Sequence, residues 1–368
     1  MVEKRFKKFR EINRRKNYFF KTIRFNLAKK LFDKRKKKDF SLAGIKKILF
    51  LRDDNKIGDM IVSTPIFKSL SQNGYELHVL SGHSNYCVIE NNPYVDKVYF
   101  YPDKYIDIIK LGLDMRKEKY DLIIDMGEQI PAIYLLFIRL INSNNLIGFN
   151  KEKINLYNKN ITYLGYDLHI TERYKSLMYN MNVKDFNMKY DIHIPDSLKT
   201  KVHEFYSQLP GETTVVINPF SADEKRDLSK EQLIRIISHL ENSYGSINII
   251  LIGNHERIKD ISYLSNCILN PFVDFISAVE IIRNSDLVIS PDTSIVHVAA
   301  AYEKDIIALY GNDKHGEFIN NHVWGPGNKN AIQLVQEKAN SKISEIPTER
   351  ILEKIDVFLS SLENKNNH

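Results

Sequence analysis

One alternation, beginning near residue 45, constrains this chain more than any other feature. Short apolar runs, each long enough for one buried strand, are separated by stretches with helical spacing. The first runs are Lys47–Leu51 (KILFL), Glu76–Leu80 (ELHVL), Lys97–Tyr101 (KVYFY), Asp121–Asp125 (DLIID) and Asn145–Phe149 (NLIGF). Helices are expected over about 57–71, with Pro65 as a kink, over 83–91, up to about 117, and over 130–141. The runs are continuously apolar rather than alternating. Strands of that kind are buried on both faces, as in a parallel sheet covered by helices. The reading is a doubly wound α/β domain.

The alternation is interrupted over about 181–212, a polar stretch containing Pro195, Pro210 and Gly211. It then restarts with strands at Thr214–Asn218, Ile247–Ile252, Asp286–Ser290 and Ile306–Tyr310. Helices are expected between them at about 229–242, 255–265, 274–284 and 294–302. A length of 368 residues also favours two domains over one. The expected organisation is an arm over 1–40, a first Rossmann-like domain over 41–200 and a second over 201–345. Residues 346–368 form an amphipathic helix and tail, with the option of packing back across the linker.

Composition enters through charge and cysteine. Two cysteines, Cys87 and Cys267, exclude a disulfide framework and a Cys-rich metal site. No stretch reaches the roughly 18 uninterrupted apolar residues of a membrane span. The net charge of +7 hides an asymmetry: residues 1–38 hold 17 Lys/Arg against three acids, which leaves the remaining chain at −7. A mildly acidic body therefore carries a basic arm, and no nucleic-acid partner is expected. Within the arm, Phe6, Phe9, Ile12, Phe20, Ile23, Leu27 and Leu31 recur mostly at spacings of three and four, along one helical face. A basic amphipathic helix suits an anionic membrane surface; the alternatives are a solvated tail or a helix packed on the body. The arm has no continuous apolar segment and no serine, unlike signal or transit peptides.

Ligands of doubly wound sheets bind beyond the carboxyl ends of the strands. With two such domains, the cleft between them is the expected site. The first strand runs into Asp53-Asp54-Asn55-Lys56-Ile57-Gly58-Asp59. Gly58 permits a close approach, with Asp53 and Asp54 as neighbouring acids. Asp59 is a candidate general base, or simply a carboxylate favoured by a helix N-terminus. In the second half, the loop from Pro219 through Ser221 to Lys225 and Arg226 offers hydroxyl and cationic donors for a diphosphate. Glu256 can accept from ribose or base groups, or cap its helix. Asp292, Thr293 and Ser294 open a helix whose free amides form an anion site, with His297 one turn on. Neither a dinucleotide fingerprint, a phosphate-binding P-loop, a His-Glu-x-x-His pair nor paired cysteines occur, so no metal or cofactor is expected.

Taken together, these segments resemble glycosyltransferase family 9, the heptosyltransferases of lipopolysaccharide core assembly. KILFLRDDNKIGDMIVSTPIFKSL is similar to the family's opening strand, Gly-Asp turn and Thr-Pro helix. NNPYVDKVYFY resembles its Asn-Pro-x-Val-Asp segment, and VVINPFSADEKRDLSKEQL its nucleotide-phosphate loop. SDLVISPDTSIVHVAAAYEKDIIALYG resembles its Asp-Thr-Gly-x-x-His-x-Ala-Ala block. The resemblance covers roughly residues 45–360. It implies the GT-B architecture and inverting transfer of heptose from ADP-heptose to a lipid-linked oligosaccharide. The basic arm is then expected to hold a cytoplasmic enzyme against the anionic inner leaflet of the inner membrane. It gives Asp59 the role of base, Lys225 the donor phosphates, and Glu256 the ribose or adenine. Asp292, Thr293, Ser294 and His297 would hold the sugar diphosphate. The chain departs from the pattern in having Ser294 for Gly, Asp227-Leu228 for Trp-Pro, and Pro219-Phe220 for Pro-Gly. Those departures keep open another nucleotide sugar with a surface-glycan acceptor. A non-catalytic membrane-surface scaffold is the reading from a different class.

Overall fold

A computed structural model describes residues 2–34, 39–127, 130–261, 267–312, 314–315, 318–339 and 341–366. Continuous apolar runs become buried parallel strands. In the first half, β1 (Lys47–Arg52), β2 (Glu76–Ser81), β3 (Lys97–Phe100), β4 (Leu122–Asp125), β5 (Asn145–Phe149) and β6 (Lys159–Ile161) form one sheet, in the order β3-β2-β1-β4-β5-β6. Its helices are α1 (Val2–Phe32), α2 (Ile57–Gln72), α3 (Tyr105–Arg116), α4 (Ala132–Ile141) and α5 (Ile170–Asn180). After α6 (Asp196–Tyr206), the second half repeats the plan with β7 (Thr213–Ile217), α7 (Lys230–Tyr244), β8 (Ile247–Leu251), α8 (His255–Lys259), β9 (Ile268–Leu269), α9 (Phe275–Arg283), β10 (Leu287–Pro291), α10 (Ser294–Ala301) and β11 (Asp305–Tyr310). A two-stranded ribbon, β12 (Lys314–His315) with β13 (Phe318–Ile319), and α11 (Asn320–Val323) precede β14 (Ala331–Val335) and α12 (Thr348–Asn366).

The second sheet runs β14-β11-β10-β7-β8-β9. Read from its own first strand, that is the same order as the first sheet. In each sheet the order of strands therefore reverses once, between β1 and β4 and between β7 and β10, with all strands parallel. Chain entering and leaving on opposite sides of that point leaves a crevice at the carboxyl ends.

The halves are not independent bodies joined by a tether. One apolar core runs through both, taking in Phe50, Phe67 and Leu70 on one side and Val216, Ile250 and Val298 on the other. Helices α2 and α10 pack directly on each other. Two outer cores cover the opposite faces, one under α3 and α4, the other under α7 and α12. Helix α12 packs on α7, β11 and β14, fastened by Asp356 accepting from the Tyr244 hydroxyl at 2.7 Å.

Three local expectations change. The helix over 83–91 is a single 3-10 turn, Tyr86–Val88, because Asn85 turns its amide back to the carbonyl of Arg52 at 3.0 Å. The polar stretch over 181–212 contains α6, in which Val202 is the residue that buries. The helix expected over 255–265 ends at Lys259, and residues 262–266 lie outside the described residues.

The arm is a helix with two apolar rows rather than one. Ala28 is buried and Phe25 and Phe32 are half-buried in the core against α4. Phe20, Ile23, Leu27 and Leu31 face out. The side chains of Phe6, Phe9 and Ile12, and residues 35–38, lie outside the described residues. Among the described residues, no helix is long and apolar enough to cross a membrane.

Candidate functional site

The first lip of the cleft is the turn from β1 into α2. Asn55 takes a left-handed backbone (φ 58) and its side-chain oxygen accepts from the amide of Ser84 at 3.0 Å. That oxygen occupies the space a side chain on Gly82 would need. The turn is thus braced from β2. Arg52, at the end of β1, is buried beneath it. One guanidinium nitrogen, Nη2, donates to the Tyr174 hydroxyl at 2.6 Å; the other, Nη1, lies 3.0 Å from Asp54 and 3.6 Å from Asp59.

Asp59 sits in the first turn of α2, where the helix dipole favours negative charge. Lys56 lies 3.6 Å from it. Burial nevertheless pushes its pKa up to about 6, with Arg52 and Lys56 opposing and the neighbouring Asp54 adding to the rise. Asp54 goes the other way: burial raises it, but Arg52 prevails and holds it low. One guanidinium therefore sets two carboxylates apart. Asp53 is likewise pushed up to about 6 by burial, although the Tyr134 hydroxyl donates to it at 2.8 Å. Next to it Asp125, the last residue of β4, accepts from the Tyr157 hydroxyl and from the amide of Gly127.

The second lip is the turn from β10 into α10. Thr293 caps that helix, its hydroxyl accepting from the amide of Ile295 at 3.2 Å and from the Asn218 side chain at 3.1 Å. Asp292 is buried and paired with Arg226 at 2.9 Å, and accepts from the Asn320 amide. Ser294 is half-buried at the helix start. His297 is buried between Tyr190 and Trp324, both at edge-on ring contacts. Burial, and then the neighbouring His169, push its pKa down to about 3, so it is a neutral imidazole. Its Nδ1 has no hydrogen-bond partner among the described residues.

The two lips touch. A Cβ on Gly58 would stand 3.1 Å from His297 Cδ2 and 3.7 Å from Ser294 Cα. Glycine at 58, the residue before Asp59, is what lets α2 and α10 meet.

The outer loop holds the remaining residues expected from the sequence. Lys225 is exposed, in the turn Glu224–Arg226, and has no ion pair among the described residues. It is Arg226 that turns inward. The Ser221 hydroxyl donates to the carbonyl of Asp223 at 2.6 Å, within its own loop. Asp227, where the resembled pattern has Trp, accepts from the Ser221 amide and pairs with Arg257. The Arg257 guanidinium in turn lies 4.0 Å over the Phe220 ring. Glu256 is exposed, 3.4 Å from Lys259. Sequence gave no signal for Tyr134, Tyr174 or Asn218, which reach the lips from distant segments. Among the described residues, no cluster of His, Cys, Asp and Glu is placed to hold a metal ion.

Known proteins match this arrangement over most of its length. The model of glycosyltransferase family 9 (heptosyltransferase) matches residues 108–351. An Escherichia coli K12 protein carried under the name "Putative lipopolysaccharide heptosyltransferase 4" is 27% identical over 330 residues, 88% of this chain and 91% of its own. A glycosyl transferase family 9 structure from Veillonella parvula superposes with a TM-score of 0.72 at 16% identity, covering 86% of this chain and 97% of that one. The structure of E. coli ADP-heptose lipopolysaccharide heptosyltransferase II gives 0.69 at 17% identity, covering 86% and 99%.

Proposed function

This chain belongs to glycosyltransferase family 9, a GT-B glycosyltransferase of the heptosyltransferase type, and from that premise we propose that it moves heptose from ADP-heptose to a hydroxyl of the lipopolysaccharide inner core. The observation that carries this reading is the contact of Gly58 with His297 and Ser294. It supports the reading by bringing the turn that carries Asp59, whose carboxyl pKa is pushed by burial up to about 6, against the helix whose N-terminus we assign to a diphosphate.

In the proposed reaction the ionised Asp59 takes the proton of the acceptor hydroxyl. That oxygen attacks the anomeric carbon of the sugar from the face opposite the diphosphate, and the configuration inverts. The bond from the anomeric carbon to the phosphate oxygen breaks, and ADP leaves with the electron pair. Charge grows on the diphosphate as this happens, so Lys225 and the amides opening α10, at Thr293, Ser294 and Ile295, stabilise the transition state above the ground state. Asp292, held by Arg226, faces the positive charge developing on the sugar ring. His297, neutral and buried, supports the lip by packing. Glu256 and the Ser221 loop lie on the nucleotide side and meet the ribose or adenine. Asp53 and Asp54 support the first turn.

The acceptor in this reading is lipid-linked. The enzyme works as a peripheral protein on the cytoplasmic face of the inner membrane, drawn there by residues 1–38. The Asp227–Arg257 pair favours one competing reading, a different nucleotide sugar with a surface-glycan acceptor, because it rebuilds the donor loop. A thermal-shift series with ADP-, UDP-, GDP- and CDP-sugars separates the two. ADP-heptose should give the largest rise, and transfer of its sugar to an inner-core acceptor should follow. Stabilisation by UDP- or GDP-sugars alone would move the donor assignment.

A further inference from the structure

Helix α1 carries apolar residues on two sides, roughly 130° apart around its axis. At about 100° per residue, Phe25, Ala28 and Phe32 share one face, and Phe20, Ile23, Leu27 and Leu31 share the other. The first row is spent on the protein: it enters the core beside α4. The end of the helix is fastened as well. Asp33 is buried and accepts from the amide of Leu156 at 2.8 Å, and Arg139 donates to the carbonyl of Lys34. The second row is open. Phe20, Ile23, Leu27 and Leu31 are 46–57% exposed, over about three turns of helix. Scattered single apolar residues at a surface need no explanation, but a contiguous row of four aromatic and aliphatic side chains does.

Charge selects what covers it. The same wheel places Lys16, Arg24 and Lys30 in or beside the exposed row, and all three are exposed. A second copy of the chain laid on this row would bring another basic helix, and like charges in low dielectric repel. An anionic lipid surface meets both requirements, with acyl chains for the aromatics and headgroups for the lysines and arginines.

We infer that α1 is a two-sided adaptor, one face seated on α4 and the other inserted in an anionic bilayer, so that the first domain is held at a fixed orientation rather than on a tether. This deepens the membrane reading given above and names the face, the residues and the geometry. The same packing links the bilayer side to the cleft: α1 lies on α4, and Tyr134 of α4 donates to Asp53 at the first lip.

The test uses the full chain with vesicles of phosphatidylcholine containing about one-third phosphatidylglycerol, in the absence of donor. Ile23→Ser with Leu27→Ser should lower vesicle binding about tenfold or more, since both side chains leave the hydrocarbon boundary. Arg24→Gln with Lys30→Gln should weaken binding and flatten its fall with salt. Vesicle binding by the Ile23/Leu27 double variant equal to wild type would overturn the proposal. So would light scattering that finds a wild-type dimer dissolved by that variant. Sugar transfer to a water-soluble acceptor should be the same in wild type and double variant. A wild type that binds vesicles yet transfers nothing would sink the transferase chemistry and leave this inference standing.

Discussion

Gly58 and His297 meet across the cleft with no room for a methyl group between them: a Cβ at 58 would stand 3.1 Å from His297 Cδ2. His297 cannot step aside easily, because Tyr190 and Trp324 close on it. Gly58→Ala should therefore hold the lips a few tenths of an ångström apart. Misplacement of that order costs about tenfold in kcat/KM. Steady-state kinetics on the G58A enzyme, with a melting curve to confirm folding, tests this; wild-type turnover would show that the lips need not close.

Asp59→Asn should cut kcat by about 10²–10⁴-fold, the usual contribution of a positioned base, while donor affinity by calorimetry stays within a few-fold of wild type. In wild type the acid limb of kcat/KM should lie near pH 6, with activity lost as pH falls below it, because the base must be ionised. The stability consequence has the opposite sense. A carboxyl raised from 3.8 to about 6 by folding contributes stability below the unfolded value, and that contribution is lost as pH rises through about 6. Near pH 8 the loss is on the order of 1–3 kcal/mol, at about 1.4 kcal/mol per pKa unit. Asp59→Asn should melt above wild type at pH 8 and alongside it at pH 4. Equal melting temperatures at both pH values would refute the raised pKa.

Asp54→Asn removes the negative charge beside Asp59 and leaves Arg52 with one fewer carboxylate to serve. Both changes favour the ionised form of Asp59. The acid limb should move roughly one pH unit below its wild-type position. A pH profile measured on both enzymes in one buffer series decides; an unmoved limb would mean that burial alone sets the titration.

Lys225 and Arg226 are neighbours with different expected phenotypes. Lys225 is exposed and has no ion pair among the described residues, so Lys225→Ala should leave the melting temperature unchanged. It should still weaken donor binding about tenfold, or ~1.4 kcal/mol. Arg226→Ala strands the buried carboxylate of Asp292 and should cost about 1–3 kcal/mol of stability as well as donor affinity. Calorimetry and thermal denaturation on both variants would separate them. A destabilised K225A enzyme would place that lysine inside the structure rather than at the donor.

The strands were legible because burial on both faces leaves no polar alternation to misread, and Asn145–Phe149 falls where its run of apolar residues does. The elements that escaped are those whose burial is thin. Helix α6 hides in a polar stretch because Val202 is its buried residue, and β9 spans only Ile268–Leu269. The site divides in the same way. Residues adjacent in the chain, such as the run from Asp53 to Asp59, announce themselves together. Tyr174 reaches Arg52, just ahead of that run, from 122 residues away, Tyr134 reaches Asp53 from 81, and no local pattern carries such a contact. Two adjacent cations, Lys225 and Arg226, differ only in which way a short 3-10 turn points them, and composition cannot see that direction.

The two sheets share one strand order, so topology alone does not say which crevice takes a phosphate. The side chains at the two reversals differ. At the first stand Asp53 and Asp125, both served by tyrosine hydroxyls; at the second stand Asn218, a threonine-capped helix end and an aspartate already neutralised by Arg226. At the first reversal the carboxylates Asp54 and Asp59 share Arg52, whereas the second offers the capped N-terminus of α10. On the proposed chemistry, the enzyme's left–right sense, which half gives and which receives, is written in these few groups rather than in the fold. Exchanging them, more than any rearrangement of strands, is the step by which a duplicated architecture of this kind would trade its roles.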